Sequence, residues 1–236
     1  AARVLAGAGR LDEARGVLKK HVAANPGSIA GHYWSGALAE AAGDMATAER
    51  EYGWFNEDGQ RFLDKWKGNP DRPPFDKAEN AVLVAQALDR LAQIQGWYRD
   101  NQALHESLLS MFVHAYDVTD RDYWPAHTAA ARYFLSHDQT LEARQELRQA
   151  LRANPHDADS LVLVGEIALA EFDFDKADKV VALLRGTDAH SLDADLLECR
   201  SLLKQQRPKE GERLARQVIA RRPKDIEAMG LLAGSL

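Results

Sequence analysis

The segment Asp173-Phe-Asp-Lys-Ala-Asp-Lys-Val-Val181 is the best guide to the fold, because the same pattern occurs at two other places in the chain. Those places are Gly9-Arg-Leu-Asp-Glu-Ala-Arg-Gly-Val-Leu18 and Gln139-Thr-Leu-Glu-Ala-Arg-Gln-Glu-Leu147. In each of them a short polar turn precedes a small residue, and a large apolar residue follows four positions later. One constant spacing, called the repeat interval below, separates Ala14 from Ala48, Ala143 from Ala177, and Ala177 from Gly211. A constant spacing of this kind indicates a chain built from structural repeats.

Each part of the pattern has a physical reason in a helical hairpin. A small residue allows two helices to cross closely, and the large residue four positions later lies on the same helical face. Proline cannot continue a helix. Helices are therefore predicted to end at three dipeptides whose prolines follow the small residue by twelve positions: Asn25-Pro26, Asn154-Pro155 and Arg222-Pro223. We expect Asp44 and Asp173 to cap second helices, and Asp157 to cap a first helix.

These residues resemble the tetratricopeptide repeat family, whose unit is a pair of antiparallel helices of about 34 residues in total. The family places a small residue at the eighth position of the first helix, which corresponds here to Gly36, Ala131, Gly165 and Cys199. The family's first-helix tryptophan is replaced by His32, His127, Leu161 and Asp195. The resemblance implies an all-α fold, a right-handed α-solenoid of about six antiparallel helix pairs with incomplete repeats at its ends. It covers residues 1–55 and 122–236 well, and we expect residues 1–236 to form a single array.

The middle of the chain, about residues 56–121, is predicted to be irregular and enlarged. Two repeat intervals counted from Ala48 would reach position 116, but the next small residue of the pattern is Ala143. The chain between Ala48 and Ala143 is therefore longer than two repeat intervals. Part of this additional length falls in Asn56–Lys77, which contains helix-breaking prolines and glycines. The rest falls in a long turn at 95–101, between helices predicted at Ala78–Ile94 and Gln102–Tyr116 from their apolar spacing.

Composition restricts the class of protein. The 36 acidic and 30 basic residues are mixed along the chain and give a net charge of −6, so that no basic stripe favours nucleic acid. The apolar runs are too short for membrane insertion. Cys199 is the only cysteine, which excludes an internal disulfide framework. No signal peptide is visible, and the compartment is left open with the cytoplasm slightly favoured. The oligomeric state is also left open.

The two ends suggest a piece of a longer repeat protein. Residue 1 is Ala rather than Met, and Ala1–Leu5 has the pattern of the last turn of a helix. Met229–Leu236 has the pattern of a helix that stops midway. We therefore expect a fragment.

No catalytic motif is recognisable, and we expect neither enzymatic activity nor a cofactor. The chain has no phosphate-binding glycine motif and no nucleophile elbow. His105 and His114 are nine positions apart and are read as ordinary helix histidines rather than zinc ligands. Asp117, Asp120 and Asp122 are read as capping residues, and Cys199 as a small buried hydrophobe.

The sequence favours a scaffold that binds a protein or peptide partner. The alternative is a regulatory or substrate-presenting segment of a larger enzyme, for example a metallopeptidase, whose catalytic domain lies outside this chain. The resemblance places the first helices on a concave face, where a carboxylate clamp is absent because its positions hold Thr128, Arg132, Val162 and Glu166. An Arg132–Glu166 ion pair within the chain is an equal alternative to partner binding. The aromatic residues of the middle are candidates for core packing or for an interface. The predicted partner-binding residues are Tyr33, Glu40, Trp54, Phe55, Trp66, Gln86, Trp97, Arg132, Glu166 and Arg200.

Overall fold

The computed structural model describes Leu5 and residues 10–57, 75–97, 102–223 and 225–236. Within these ranges all regular structure is helical, which confirms the predicted all-α helical-repeat solenoid fold. The chain divides into two compact units, Ala1–Tyr133 and Phe134–Leu236, called unit 1 and unit 2 below.

Unit 1 contains α1 (Leu11–Ala24), α2 (Ile29–Ala41), α3 (Met45–Glu57), α4 (Ala78–Gln95), α5 (Gln102–His114), a π-helix (Ala115–Thr119) and most of α6 (Trp124–Ser136). Helices that follow one another in the chain, from α1 to α5, pack together. In addition α2 packs against α4, which is the first helix of the next hairpin. This pairing of neighbours and next-but-one neighbours is the packing of a helical repeat.

Unit 2 contains the end of α6, α7 (Thr140–Ala153), α8 (Ala158–Ala170), α9 (Phe174–Thr187), α10 (Leu192–Lys204), α11 (Pro208–Arg221) and α12 (Ile226–Ser235). The helices α8, α10 and α12 begin successive repeats, and α8 packs against α10 as α10 packs against α12. The second helices α9 and α11 complete two hairpins. The apolar faces of α8, α9 and α10 form a core in which Leu161, Val181 and Leu197 are buried.

The predicted small residues lie where helices approach most closely. A Cβ added to Gly36 on α2 would lie 2.7 Å from Cε1 of Tyr52 on α3, and a Cβ on Gly165 would overlap Leu197. Ala131 and Cys199, at the same position of their repeats, are fully buried. These contacts confirm the packing role that was predicted for this position.

The helix caps recur in the same register as the small residues. Asp157 accepts a hydrogen bond from the Ser160 amide at 2.9 Å, and Ser191 and Asp225, one and two repeat intervals further on, cap α10 and α12 in the same way. The predicted caps Asp44 and Asp173 accept from the amides of Thr47 and Lys176. These side chains satisfy amides that the first helical turn leaves without an intrahelical partner.

The turn inside each hairpin uses a left-handed residue. Gly43 has φ +75°, and the equivalent turns have Asp138, Phe172 and Gln206 at φ +59°, +59° and +57°. The last three are again separated by one repeat interval each. A bulky residue such as Phe172 is disfavoured in this conformation, because its Cβ crowds the carbonyl oxygen of the backbone.

The described part of the irregular middle agrees closely with the predicted helices. α4 ends at Gln95, one residue later than predicted, and Gly96 caps it with φ +70°. α5 starts at Gln102 as predicted, but it ends at His114, after which five residues form the π-helix. Residues 58–74, which include most of the predicted insertion, lie outside the described residues.

Candidate functional site

The first helices of neighbouring repeats lie side by side, so residues one repeat apart become neighbours on one face. In unit 1 this first-helix face is carried by α2 and α4. In unit 2 it is carried by α8, α10 and α12. Because the repeats carry different side chains at equivalent positions, the chemistry of the two faces differs.

In unit 1 the predicted partner-binding residue Glu40 is engaged within the fold. Its carboxylate forms an ion pair with Arg90 of α4 and accepts a hydrogen bond from the Tyr52 hydroxyl at 3.1 Å. The hydrogen bond to Glu40 raises the pKa of Arg90. Burial raises the pKa of Tyr52 well above its ordinary value, and Glu40 raises it further. Glu40 therefore connects α2, α3 and α4, and its charge is compensated by Arg90.

The predicted aromatic residues of unit 1 occupy different environments. Phe55 is fully buried, so that its side chain packs in the core and presents no surface to a partner. Trp54 is half-buried and stacks on the imidazole of His32, with ring centroids 4.2 Å apart. Tyr33 is also half-buried, with its ring edge-on to Trp34 at 4.9 Å. Trp66 lies outside the described residues.

The other predicted residues of unit 1 are accessible to different extents. Gln86 on α4 and Trp97, which follows α4, are half-buried. Arg132 on α6 is exposed. The structure therefore leaves Tyr33, Gln86, Trp97 and Arg132 at least partly accessible.

In unit 2 the two predicted residues Glu166 and Arg200 bind each other. Arg200 Nη1 lies 2.8 Å from Glu166 Oε1, and the other end of the same guanidinium forms an ion pair with Glu227 on α12. Burial alone would lower the pKa of Arg200, but the charges of Glu227 and Glu166 raise it overall. Arg200 therefore joins three successive first helices.

Carboxylates outnumber cations on this face. Asp159, Asp193 and Glu227 hold the same position in α8, α10 and α12, since each follows the previous one by one repeat interval, and all three are exposed. The protein around the Asp193 carboxylate displaces water and raises its pKa, and the charge of Asp159 raises it further. Arg222 and Arg200 act in the opposite direction. We call Asp159, Glu166, Asp193, Arg200 and Glu227 the acidic face of unit 2.

Four residues of these faces are absent from the predicted set: Arg90, Asp159, Asp193 and Glu227. The signal for the last two was present in the sequence. Asp193 and Glu227 lie one and two repeat intervals beyond Asp159, so an acidic residue recurs at the same position of three first helices. Arg90 has no such signal, because the irregular middle breaks the register between α2 and α4.

The side chains considered for catalysis are engaged in packing and internal hydrogen bonds. Cys199 is fully buried, burial raises the pKa of its thiol, and Sγ lies 3.3 Å from the Gly211 carbonyl oxygen. His114 is buried, and burial lowers its pKa. His105 Nδ1 forms a short hydrogen bond with the Tyr133 hydroxyl.

In the described ranges, no group of three or more histidine, cysteine or acidic side chains is arranged to hold a metal ion. None of the helices in those ranges combines the length and apolar character that a bilayer crossing needs.

Comparison with known proteins gives one family match. Residues 128–185, from within α6 to near the end of α9, match the tetratricopeptide repeat model. The structure of PilF from Pseudomonas aeruginosa matches with 14% sequence identity and a TM-score of 0.47, covering 98% of this chain and 93% of that chain. No curated protein matches the sequence.

Proposed function

We propose that this chain, whose residues 128–185 match the tetratricopeptide repeat model, is a non-catalytic interaction scaffold. It would bind a basic segment of a partner protein on the acidic face of unit 2. The observation that carries the proposal is the row of equivalent, exposed carboxylates on three successive first helices, Asp159, Asp193 and Glu227. A repeat scaffold presents such a row along an extended surface, which suits an extended peptide.

Charge decides which peptide this surface favours. The acidic face holds four carboxylates and one guanidinium, so its net charge is negative even after Arg200 has paired with Glu166 and Glu227. The raised pKa of Asp193 reflects an unfavourable environment for its negative charge. A lysine or arginine placed beside Asp193 would relieve that cost, whereas an acidic peptide would increase it.

The ion pairs of Arg200 support a fixed arrangement of this surface. Because Arg200 is held between α8 and α12, it positions Glu166 and Glu227 relative to α10 before any partner arrives. A surface that is ordered in advance loses less conformational entropy on binding. The same pairing leaves Asp159 and Asp193 as the carboxylates best placed to meet a cationic side chain.

The test uses the full chain and two synthetic peptides, one alternating lysine with serine and the other alternating glutamate with serine. Fluorescence anisotropy of the labelled peptides should show binding of the lysine peptide only, with an affinity that falls as salt is raised. Replacing two partly screened charges, Asp159→Asn with Asp193→Asn, should weaken binding about three- to tenfold.

The matched control is Asp175→Asn with Asp178→Asn, which removes the same charge from the exposed surface of α9. This variant should bind the lysine peptide nearly as well as the unchanged protein. Equal losses in the two variants would indicate attraction by net charge alone. That result, or equal binding of both peptides, would contradict a binding site on the acidic face.

A further inference from the structure

The imidazole of His32 on α2 is buried and has an oxygen atom next to each ring nitrogen. Nδ1 lies 2.9 Å from Oε2 of Glu51 on α3, and Nε2 lies 2.9 Å from the carbonyl oxygen of Pro26, in the turn between α1 and α2. The ring stacks on the indole of Trp54, with an angle of 9° between the two planes. From its place on α2, His32 therefore contacts both the α1–α2 turn and α3.

Both oxygens beside the ring nitrogens can accept a hydrogen bond, but neither can donate one. The Pro26 oxygen is a backbone carbonyl. Glu51 remains a carboxylate, because the hydrogen bond from His32 lowers its pKa, as does the hydrogen bond from Arg50. A neutral imidazole carries a single N–H and can donate to only one of these acceptors, whereas the protonated ring donates to both.

We propose that His32 is a proton-operated clamp, which in its protonated form ties the α1–α2 turn, α2 and α3 together and on deprotonation releases one of its two contacts. A neutral ring would face one of the two oxygens with a lone pair at 2.9 Å, which is repulsive. His32 lies on α2, one of the two helices that carry the first-helix face of unit 1. It is independent of the function proposed for unit 2.

The charged and titratable neighbours favour the protonated ring. Glu51 contacts the ring directly, and its negative charge stabilises the imidazolium. The positive charge of Arg50 disfavours the protonated ring. Its guanidinium is largely exposed, however, and pairs with the other carboxylate oxygen of Glu51 at 3.1 Å. His21 of α1 is turned to Ser28, with Nε2 3.0 Å from the hydroxyl oxygen.

The pH dependence has a definite sign. The contribution of His32 to the free energy of unfolding is fully present below about pH 6.5, where a histidine in an unfolded chain titrates. It is lost as the pH rises through the titration of the clamped ring. The contribution of Glu51 is present above about pH 4.3 and is lost as the pH falls through its lowered pKa. The clamp is therefore closed in mildly acidic to neutral solution and opens as the solution becomes alkaline.

Nitrogen-15 NMR of the full chain tests this directly, with the His32 signals assigned by their loss in His32→Gln. At pH 6.5 both ring nitrogens should carry a proton, and the titration midpoint should lie about one pH unit above that of an unstructured histidine. Glu51→Gln keeps the ring and should lower the midpoint by about one unit. Glu49→Gln removes an exposed carboxylate from the same helix and should leave the midpoint unchanged.

Tryptophan fluorescence provides a second readout, because a protonated imidazole quenches an indole stacked on it. Emission should increase as His32 loses its proton, and Trp54→Phe should abolish that increase. A single neutral tautomer of His32 at pH 6.5 would overturn the proposal. So would a midpoint that is the same in the unchanged protein and in Glu51→Gln.

Discussion

Gly36 on α2 lies so close to Tyr52 on α3 that a Cβ at position 36 would be 2.7 Å from Cε1 of the phenol ring. Tyr52 cannot move away easily, since it is almost fully buried and its hydroxyl donates to Glu40. The close approach of these two helices thus requires glycine at this position.

We expect Gly36→Ala to destabilise unit 1 by about 1–2 kcal/mol, because overpacking outweighs the gain in helix propensity. Gly53→Ala is the matched control, since a Cβ there meets open space in α3. It should be stabilising by about 0.5–1 kcal/mol. Urea unfolding of both variants measures the difference, and a neutral Gly36→Ala would show that the hairpin can relax around a methyl group.

Phe172→Asn is expected to stabilise unit 2. The backbone of Phe172 has φ +59°, its ring is 65% exposed, and asparagine tolerates this conformation better. The substitution loses two contacts of the ring, one with the Lys204 ammonium at 5.1 Å from the centroid and one edge-on with Phe174. These exposed contacts offset part of the gain, so the net stabilisation should be small, about 0.5 kcal/mol.

Thermal unfolding measures the effect of Phe172→Asn, and Gly43→Ala is its counterpart. Gly43 has φ +75° in the equivalent turn of unit 1, with open space around it. Gly43→Ala should destabilise unit 1 by about 1 kcal/mol, because alanine is strained in this left-handed conformation and its methyl group gains no contact. A loss of stability in Phe172→Asn would mean that the aromatic ring contributes more to packing than its exposure indicates.

Asp193→Asn should raise the melting temperature at pH 7 by roughly 1–3 °C, allowing for solvent screening of an exposed group. Although the Asp193 side chain is exposed, the protein around its carboxylate displaces water, and this together with the charge of Asp159 raises its pKa. The folded protein therefore disfavours the charged form. The stabilisation should therefore shrink as the pH falls through that raised pKa and the aspartate becomes protonated. Melting curves between pH 3 and pH 8 test the sign, and a gain that grows in acid would contradict it.

Cys199 should react slowly with a thiol reagent in the folded protein. Its side chain is fully buried, and burial raises the pKa of the thiol, so little thiolate is available. We expect the rate with a disulfide reagent to be at least about a hundredfold lower than in denaturant. Rapid labelling of the native chain would indicate frequent opening between α10 and α11.

The sequence was sufficient for features that repeat at the level of single residues. The small residues, the caps Asp44, Asp157 and Asp173, and the helix-ending prolines each depend on local chemistry or on the repeat interval. The helices predicted on either side of the long turn were also found within two residues of their observed ends. α5 ends two residues earlier than predicted because the π-helix follows it, and no residue pattern predicted the π-helix.

The site was less predictable, because it depends on which side chains meet across helices. Glu40 and Glu166 were predicted to bind a partner, but the sequence did not show that Arg90 and Arg200 would bind them within the fold. Phe55 and Trp54 are adjacent in sequence, yet one is buried and the other stacks on His32, since successive helical residues point about 100° apart. The binding role of the accessible residues stays a prediction.

The common register of caps and turns makes residues 157–190 a complete cassette, one repeat interval long, from one first-helix cap to the residue before the next. It carries the cap Asp157, the glycine that admits Leu197, the hairpin turn at Phe172 and one carboxylate of the row, Asp159. Duplicating this cassette in tandem would keep every junction in phase. Gene duplication, or a protein engineer, could thus lengthen unit 2 by whole repeats, and each copy would extend the row of first-helix carboxylates by one member at the same spacing.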